Sequence, residues 1–146
     1  MGLTMCCNGM ELTMGYFHFK FLRDEIAKKV GKEYFDLHNE PFEKNMYFTM
    51  DKEKQKVYFA DHAKRQLALN KKLKVPKLFQ RFMWACDVEG KCTPRQSAIV
   101  LRYAEKITAE EQKKRLGYAG DPDATIQYFI ELLKESIKTK EPITWS

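Results

Sequence analysis

At 146 residues the chain has the length of one domain, long enough to build a core without disulfide staples. Its 44% apolar and 13% aromatic content excludes a disordered body, and no apolar run reaches the roughly eighteen residues of a membrane span. Lys+Arg 26 against Asp+Glu 20 gives a net charge of +6, a moderate excess that favours an anionic partner.

The N-terminus lacks the basic head and long apolar stretch of a signal peptide. Four cysteines without an export signal read as free thiols in a reducing cytoplasm. Met1-Gly2 opens as a lipidation signal does, but Cys6 stands where that pattern takes Ser or Thr.

Asn8-Gly9 is a two-residue hairpin turn, because both residues tolerate positive φ. Pairing outward from it sets Cys7 against Met10, Met5 against Leu12 and Leu3 against Met14, all on one face. Thr4, Cys6, Glu11 and Thr13 fall on the other face. Phe19, Leu22, Ile26 and Val30 then recur at helical spacing, predicting a helix over 17–30 that ends near Gly31 and resumes to about His38. Asn39 to Lys44, with Pro41, reads as a loop.

Asn45 to Lys56 mixes strand-like and solvated composition, and a helix is expected from about Lys52 to Asn70. Val57, Phe59, Ala60, Ala63, Leu67 and Leu69 would form its buried side. Lys64, Arg65, Lys71, Lys72, Lys74, Lys77 and Arg81 follow one another without an acidic residue between them. A basic run flanked by aromatics suits a phosphate backbone with stacked bases. It is equally the solvated face of a connector whose aromatics belong to the core. Pro76 breaks the run, and Lys77 to Cys86 reads as a helix.

The stretch from Phe82 to Ser97 is the most pointed in the chain: F-M-W-A-C-D-V-E-G-K-C-T-P-R-Q-S. Set on a calcium loop with Gly90 as the turn glycine, Asp87 and Glu89 take two ligand places. The first and last ligand places then hold Ala85 and Gln96, so the oxygen set is incomplete. As a joint between helices, the same loop puts Gly90 in the left-handed region and lets Asp87 or Glu89 bond back to loop amides. Thr93 and Pro94 cap and open a helix to about Lys106.

Together with Gly15, Tyr16, Phe19 and Arg23 near the start, this stretch resembles a motif of small phage and prophage proteins. In those an aromatic residue precedes Ser-Asp-Cys-Glu/Asp-Gly and a Ser/Thr-x-x-Gln/Glu helix start. Here Ala85 replaces the Ser, and Cys86 and Asp87 stand in the opposite order. The resemblance covers about half of the chain. It implies a mobile-element origin and a fold, with no assigned activity to carry over.

Thr108-Ala109-Glu110-Glu111 is a capping box for a short charged helix to about Leu116. Gly117 to Gly120 reads as a turn, and Asp121 and Pro122 as the start of a last helix to about Thr139, striped by Ile126, Phe129, Ile130, Leu133 and Ile137. Pro142 stops it, and Ile143-Thr144-Trp145 is available as a strand beside the hairpin. No repeat or linker divides the chain, so 1–146 reads as a single domain. The expected fold is α+β, mainly α: an N-terminal hairpin, with a third strand from the C-terminal tail, packed against about five or six helices.

No Cys-x-x-Cys or His-x-x-x-His spacing marks a metal site, and adjacent Cys6 and Cys7 point to opposite faces of a strand. Cys7 and Cys92 read as apolar anchors. No phosphate loop is present, and nothing local pairs His18, His38 or His62 with a thiol. The expectation is a non-catalytic cytoplasmic binding protein of phage or mobile-element type, without metal, cofactor or membrane. It would occupy a host protein or an anionic ligand, for example as an inhibitor of a host defence. Its contact surface would be the basic stretch Lys64 to Arg81, with Asp87 and Glu89 as a second candidate. The alternatives are a nucleic-acid-binding protein using the same lysines and arginines, and a small enzyme with a Cys/His site.

Overall fold

The structure is a computed structural model that describes residues 2–116 and 124–146. The hairpin forms in the expected register, with β1 (Gly2–Cys7) antiparallel to β2 (Met10–Gly15) and Cys7 opposite Met10. Asn8 and Gly9 make the turn with φ of 47° and 85°. Leu3, Met5, Cys7, Leu12 and Met14 are buried on one face, while Thr4 and Thr13 bond across the other at 2.9 Å.

Six α-helices follow among the described residues. They are α1 (Tyr16–Val30), α2 (Lys32–Glu43), α3 (Lys52–Leu73), α4 (Lys77–Met83), α5 (Pro94–Ala104) and α6 (Ile126–Thr139). A 3-10 turn at Met46–Phe48 links α2 to α3. The C-terminal tail does add a strand, β4 (Ile143–Trp145), beside β1. A further strand, β3 (Gly90–Cys92), joins on the other side of β4, giving a sheet of order β2-β1-β4-β3. Helix α6 lies across β1, β2 and β4 and packs on α5, while α1 packs on α2 and α5. The fold is α+β and mainly helical, as the sequence pattern implies.

Beneath the sheet lies a cluster of rings. Phe19 meets Trp145 edge-on at 5.6 Å between centroids, and Phe82 stacks on Phe129 at 5.9 Å. All four are buried. Trp145 also donates its indole N–H to the Cys86 carbonyl at 2.9 Å.

Gly90 corrects the expected helix joint. It does not take the left-handed conformation. It pairs opposite Trp145, where any Cβ would collide with the indole ring. The requirement is space, not a positive φ. Asp87 likewise leaves the loop amides and reaches Arg23 at 2.7 Å. The start of α5 is as expected: Thr93 Oγ1 accepts from the Gln96 N–H and Gln96 returns a side-chain oxygen to the Thr93 N–H.

Pro41 corrects the expected loop. Helix α2 continues through it to Glu43, although proline supplies no N–H to the carbonyl four residues earlier. That carbonyl belongs to Leu37. It accepts instead from His62 Nε2 at 2.7 Å, so an imidazole on α3 replaces the missing amide.

The inner face of α3 is only partly the expected one: Leu69 is buried as expected, Phe59 and Ala63 are half-buried and Ala60 is exposed. His62, Gln66, Leu69 and Asn70 are buried, while Val57 and Leu67 face solvent. The buried amides form a chain. Gln66 donates to Asn70 Oδ1 at 2.9 Å, and Asn70 donates to Gln80 Oε1 at 2.9 Å. The Tyr34 hydroxyl donates to the same Gln80 oxygen at 2.6 Å. The face that α3 buries is thus largely polar and joined by hydrogen bonds.

The Thr108 cap holds, with its Oγ1 accepting from Glu111 N at 3.2 Å, but the helix it opens is one 3-10 turn, Glu111–Lys113. The expected turn at Gly117–Gly120 and the expected cap at Asp121–Pro122 lie outside the described residues. Thr125 is the N-cap of α6, accepting from Tyr128 N at 3.2 Å.

Two substitutions test these packing relations. Gly90→Ala is expected to destabilise the fold by about 1–3 kcal/mol in urea titration, because the new methyl displaces Trp145; a loss under about 0.5 kcal/mol would contradict the close approach. His62→Ala is expected to cost about 1–3 kcal/mol by stranding the Leu37 carbonyl. In a Pro41→Ala background, where residue 41 can donate that bond itself, the same change should cost about 1 kcal/mol less. Equal costs in both backgrounds would show that the imidazole does not serve the carbonyl.

Candidate functional site

Helices α3 and α4 leave a tight joint at Lys74, whose φ of 58° turns the chain, and diverge from it. Asn70 and Gln80 hold the closed end of this V. At the open end Phe59, His62 and Ala63 of α3 face Met83 and Trp84 across a cleft of about 660 Å³. Its back wall comes from α2 through His38 and Phe42, spaced one turn apart, and its far wall from Tyr16, Phe17, Lys20 and Arg23 of α1. Tyr47 and Phe48 of the 3-10 turn close one side, and residues Ala85 to Asp87 the other.

The walls are unusually rich in rings that the fold does not cover. Phe17 and Phe48 are 70% exposed, Tyr47 56% and Trp84 46%. This concentration of wet aromatic surface around one concavity makes it the candidate site.

Charge enters the cleft in neutralised pairs. Lys20 donates to Asp24 Oδ2 at 2.6 Å and to Asn39 Oδ1 at 3.2 Å, and its ammonium lies 4.3 Å from the Phe42 ring centroid. His38 Nε2 lies 3.2 Å from Asp24 Oδ1. Burial by itself would raise the pKa of Asp24, but hydrogen bonds from His38 and Lys20 outweigh it and hold the carboxyl below its ordinary range.

Arg23 is the most enclosed charge, with its side chain only 9% exposed. Its guanidinium carbon sits 3.7 Å from the Phe19 ring centroid. Nη1 donates to the Met83 carbonyl at 3.0 Å and Nη2 to Asp87 Oδ1 at 2.7 Å. Nε–H has no hydrogen-bond partner among the described residues. Burial pushes the Arg23 pKa down, and Asp87 opposes that shift. Burial followed by the nearby Asp87 charge pushes the Tyr47 phenol up.

Outside the cleft a second charged group ties α2 to α3. Glu40 accepts from Arg65 Nη1 at 3.1 Å and Nη2 at 2.7 Å, and from the Tyr58 hydroxyl at 2.5 Å. The Arg65 hydrogen bonds hold Glu40 down at about 2 against the opposing effect of burial, while burial and the Glu40 charge push Tyr58 up to about 12.

The residues expected to form a contact surface are therefore dispersed in role. Arg65 is occupied by Glu40 and Asp61, and Lys72 by Glu33 at 3.3 Å. Lys64, Lys71, Lys74, Lys77 and Arg81 are exposed and, among the described residues, form no ion pair. Glu89 is exposed on the loop. Only Asp87 of the expected set lines the cleft, and it is joined there by Arg23.

Composition does not separate an exposed Trp84 from a buried Phe82. The fold brings Tyr16, Phe19 and Arg23 of α1 together with the stretch from Trp84 to Asp87.

Cys86 is exposed at the cleft, Cys6 is partly covered, and Cys7 and Cys92 are buried, with burial pushing Cys92 up to about 11. His62 and His38 are engaged with Leu37 and Asp24. Among the described residues no three His, Cys, Asp or Glu side chains gather as metal ligands, and no helix is long and apolar enough to cross a membrane. No family model, curated protein or solved structure matches this chain.

The Glu40 clamp gives a pH prediction. A carboxyl depressed from 4.5 to about 2 contributes stability that is complete above its unfolded pKa and is lost as pH falls through the folded one. Urea midpoints of the wild type should therefore drop between pH 4.5 and about 2 more steeply than those of Glu40→Gln. Parallel acid limbs would show that Glu40 is not held by Arg65. At neutral pH, Arg65→Gln should lower the midpoint, whereas Lys64→Gln and Lys71→Gln should leave stability within about 0.5 kcal/mol.

Proposed function

We propose that this chain is a non-catalytic binding protein of phage or mobile-element type, and that it works by holding a ring-bearing host molecule in the aromatic cleft. The observation that carries this reading is the 660 Å³ concavity walled by Phe17, Tyr47, Phe48 and Trp84, rings that the fold leaves exposed. Each such ring gains by covering its face, and a flat ligand covers several at once. The volume is that of a small-molecule site. Lys20 and Arg23 line the cleft, each already paired with an aspartate. In the setting that the phage-type resemblance suggests, sequestering such a molecule is a way of blunting a host defence.

The interior of the cleft also supports binding over catalysis. Its imidazoles brace Leu37 and Asp24, and its acidic and basic groups are paired with each other. These are the relations of a preorganised pocket, in which rigid walls lower the ordering cost of binding.

Single-stranded nucleic acid is the alternative ligand. Lys77 and Arg81 lie one turn apart on α4 and Trp84 caps its C-terminal end, so two exposed cations lead to an exposed ring.

Titration with the neutral fluorophore N-phenyl-1-naphthylamine tests the cleft. Saturable binding is expected in the wild type, weakened about tenfold in Trp84→Ala and Tyr47→Ala and unchanged in Lys64→Gln. Absence of binding, or binding indifferent to both ring substitutions, would overturn the reading. A parallel salt titration with single-stranded DNA should show no binding at low salt. Tight binding that falls steeply with salt and disappears in Lys77→Glu/Arg81→Glu would put nucleic acid in its place.

A further inference from the structure

We infer that Arg23 is the anion receptor of the cleft, that Asp87 is an internal stand-in for the ligand, and that the ligand is an aromatic carboxylate. This rests on the cleft being the binding site.

The guanidinium is a fork whose Nε and Nη2 edge matches the two oxygens of a carboxylate. In Arg23 that edge is half used. Nη2 donates to a single oxygen of Asp87, and Nε–H has no partner among the described residues. A donor on a side chain 91% removed from solvent, left unpaired, is a costly arrangement.

The two partners of the pair are unequally fixed. Arg23 is held by the Phe19 ring and the Met83 carbonyl, with little of it exposed. Asp87 is 49% exposed and sits in a loop whose neighbours Cys86, Val88 and Glu89 are all exposed. That loop is anchored at the Cys86 carbonyl by Trp145 and at Gly90 by the strand pairing. Residues 87–89 lie between the anchors, so Asp87 can leave Arg23 without dismantling the sheet. The buried cation cannot leave as readily.

The ligand chemistry follows from what must replace Asp87. A neutral ring entering the cleft leaves the ion pair as it is and gains only from the rings that line it. A ring carrying a carboxylate exchanges one anion for another at Arg23, taking the place of the Asp87 oxygen on Nη2. Its charge is conserved in the exchange, so the buried guanidinium is never left unpaired. The tethered Asp87 competes with it as an intramolecular ligand, which sets the affinity the incoming carboxylate must exceed.

Displacement of N-phenyl-1-naphthylamine by 2-naphthylacetate and by the neutral, nearly isosteric 2-naphthylacetamide tests this. The acetate is expected to displace at a concentration at least about tenfold lower than the amide, the ratio set by a charged against a neutral hydrogen-bond partner. Asp87→Asn keeps an acceptor for Arg23 but removes the competing charge. It should lower the half-displacing concentration of the acetate about tenfold further and leave that of the amide unchanged. Arg23→Gln, if folded by circular dichroism, should make the two ligands equivalent.

Equal displacement by both ligands in wild type and in Asp87→Asn would overturn the anion receptor while leaving the aromatic cleft in place. Failure of the fluorophore to bind at all would remove both. Stronger displacement by 2-naphthyl phosphate than by the acetate would overturn the carboxylate assignment.

Discussion

Trp145 is the residue on which the remaining arrangement depends. Its ring touches Phe19 and lies near Phe82, its N–H pins the Cys86 carbonyl, and its flat face requires Gly90 beneath it. One side chain on the last strand thus sets the path of a loop in the middle of the chain, and that path places Asp87 within reach of Arg23. A large buried ring with one polar edge suits this role, because the ring supplies packing and the indole N–H supplies direction.

The cleft, by contrast, depends on polar groups. If the inner face of α3 were leucine and valine, it would favour the fullest contact available with its neighbours. Instead Gln66, Asn70, Gln80 and Tyr34 must keep their hydrogen bonds in a buried setting, and those bonds fix the helix separation at the closed end of the V. The Arg65–Glu40 and His62–Leu37 contacts then hold α3 to α2 further out. With α3 drawn to α2 and α4 drawn to α5, the space between Phe59 and Trp84 stays open.

Local chemistry was legible in the sequence and remote chemistry was not. Asn8-Gly9 fixed the hairpin register and Thr93 with Gln96 fixed the start of α5, because each device is complete within four residues. Pro41 misled because the donor that rescues its helix is His62, on another element. Gly90 misled because its neighbour is Trp145. Of the residues that the sequence pointed to as a contact surface, Asp87 alone lines the cleft. An exposed ring and a buried ring look alike in a sequence, so Trp84 and Phe48 gave no sign that they face a cleft.

The distribution of charge separates two tasks that composition merges. The cations nearest the cleft are already answered: Lys20 by Asp24, Arg23 by Asp87 and Arg65 by Glu40. Lys64, Lys71, Lys74, Lys77 and Arg81 are not, and they lie on the outer surfaces of α3 and α4 and at the joint between them. Solvated charges of this kind act at a distance and are screened by salt, raising the encounter rate of an anion without selecting it. Selection belongs to groups that are desolvated and held rigid. In the proposed reading the outer lysines bring an anion near, the rings accept only a flat one, and the half-filled fork of Arg23 distinguishes a carboxylate from a neutral group of the same shape.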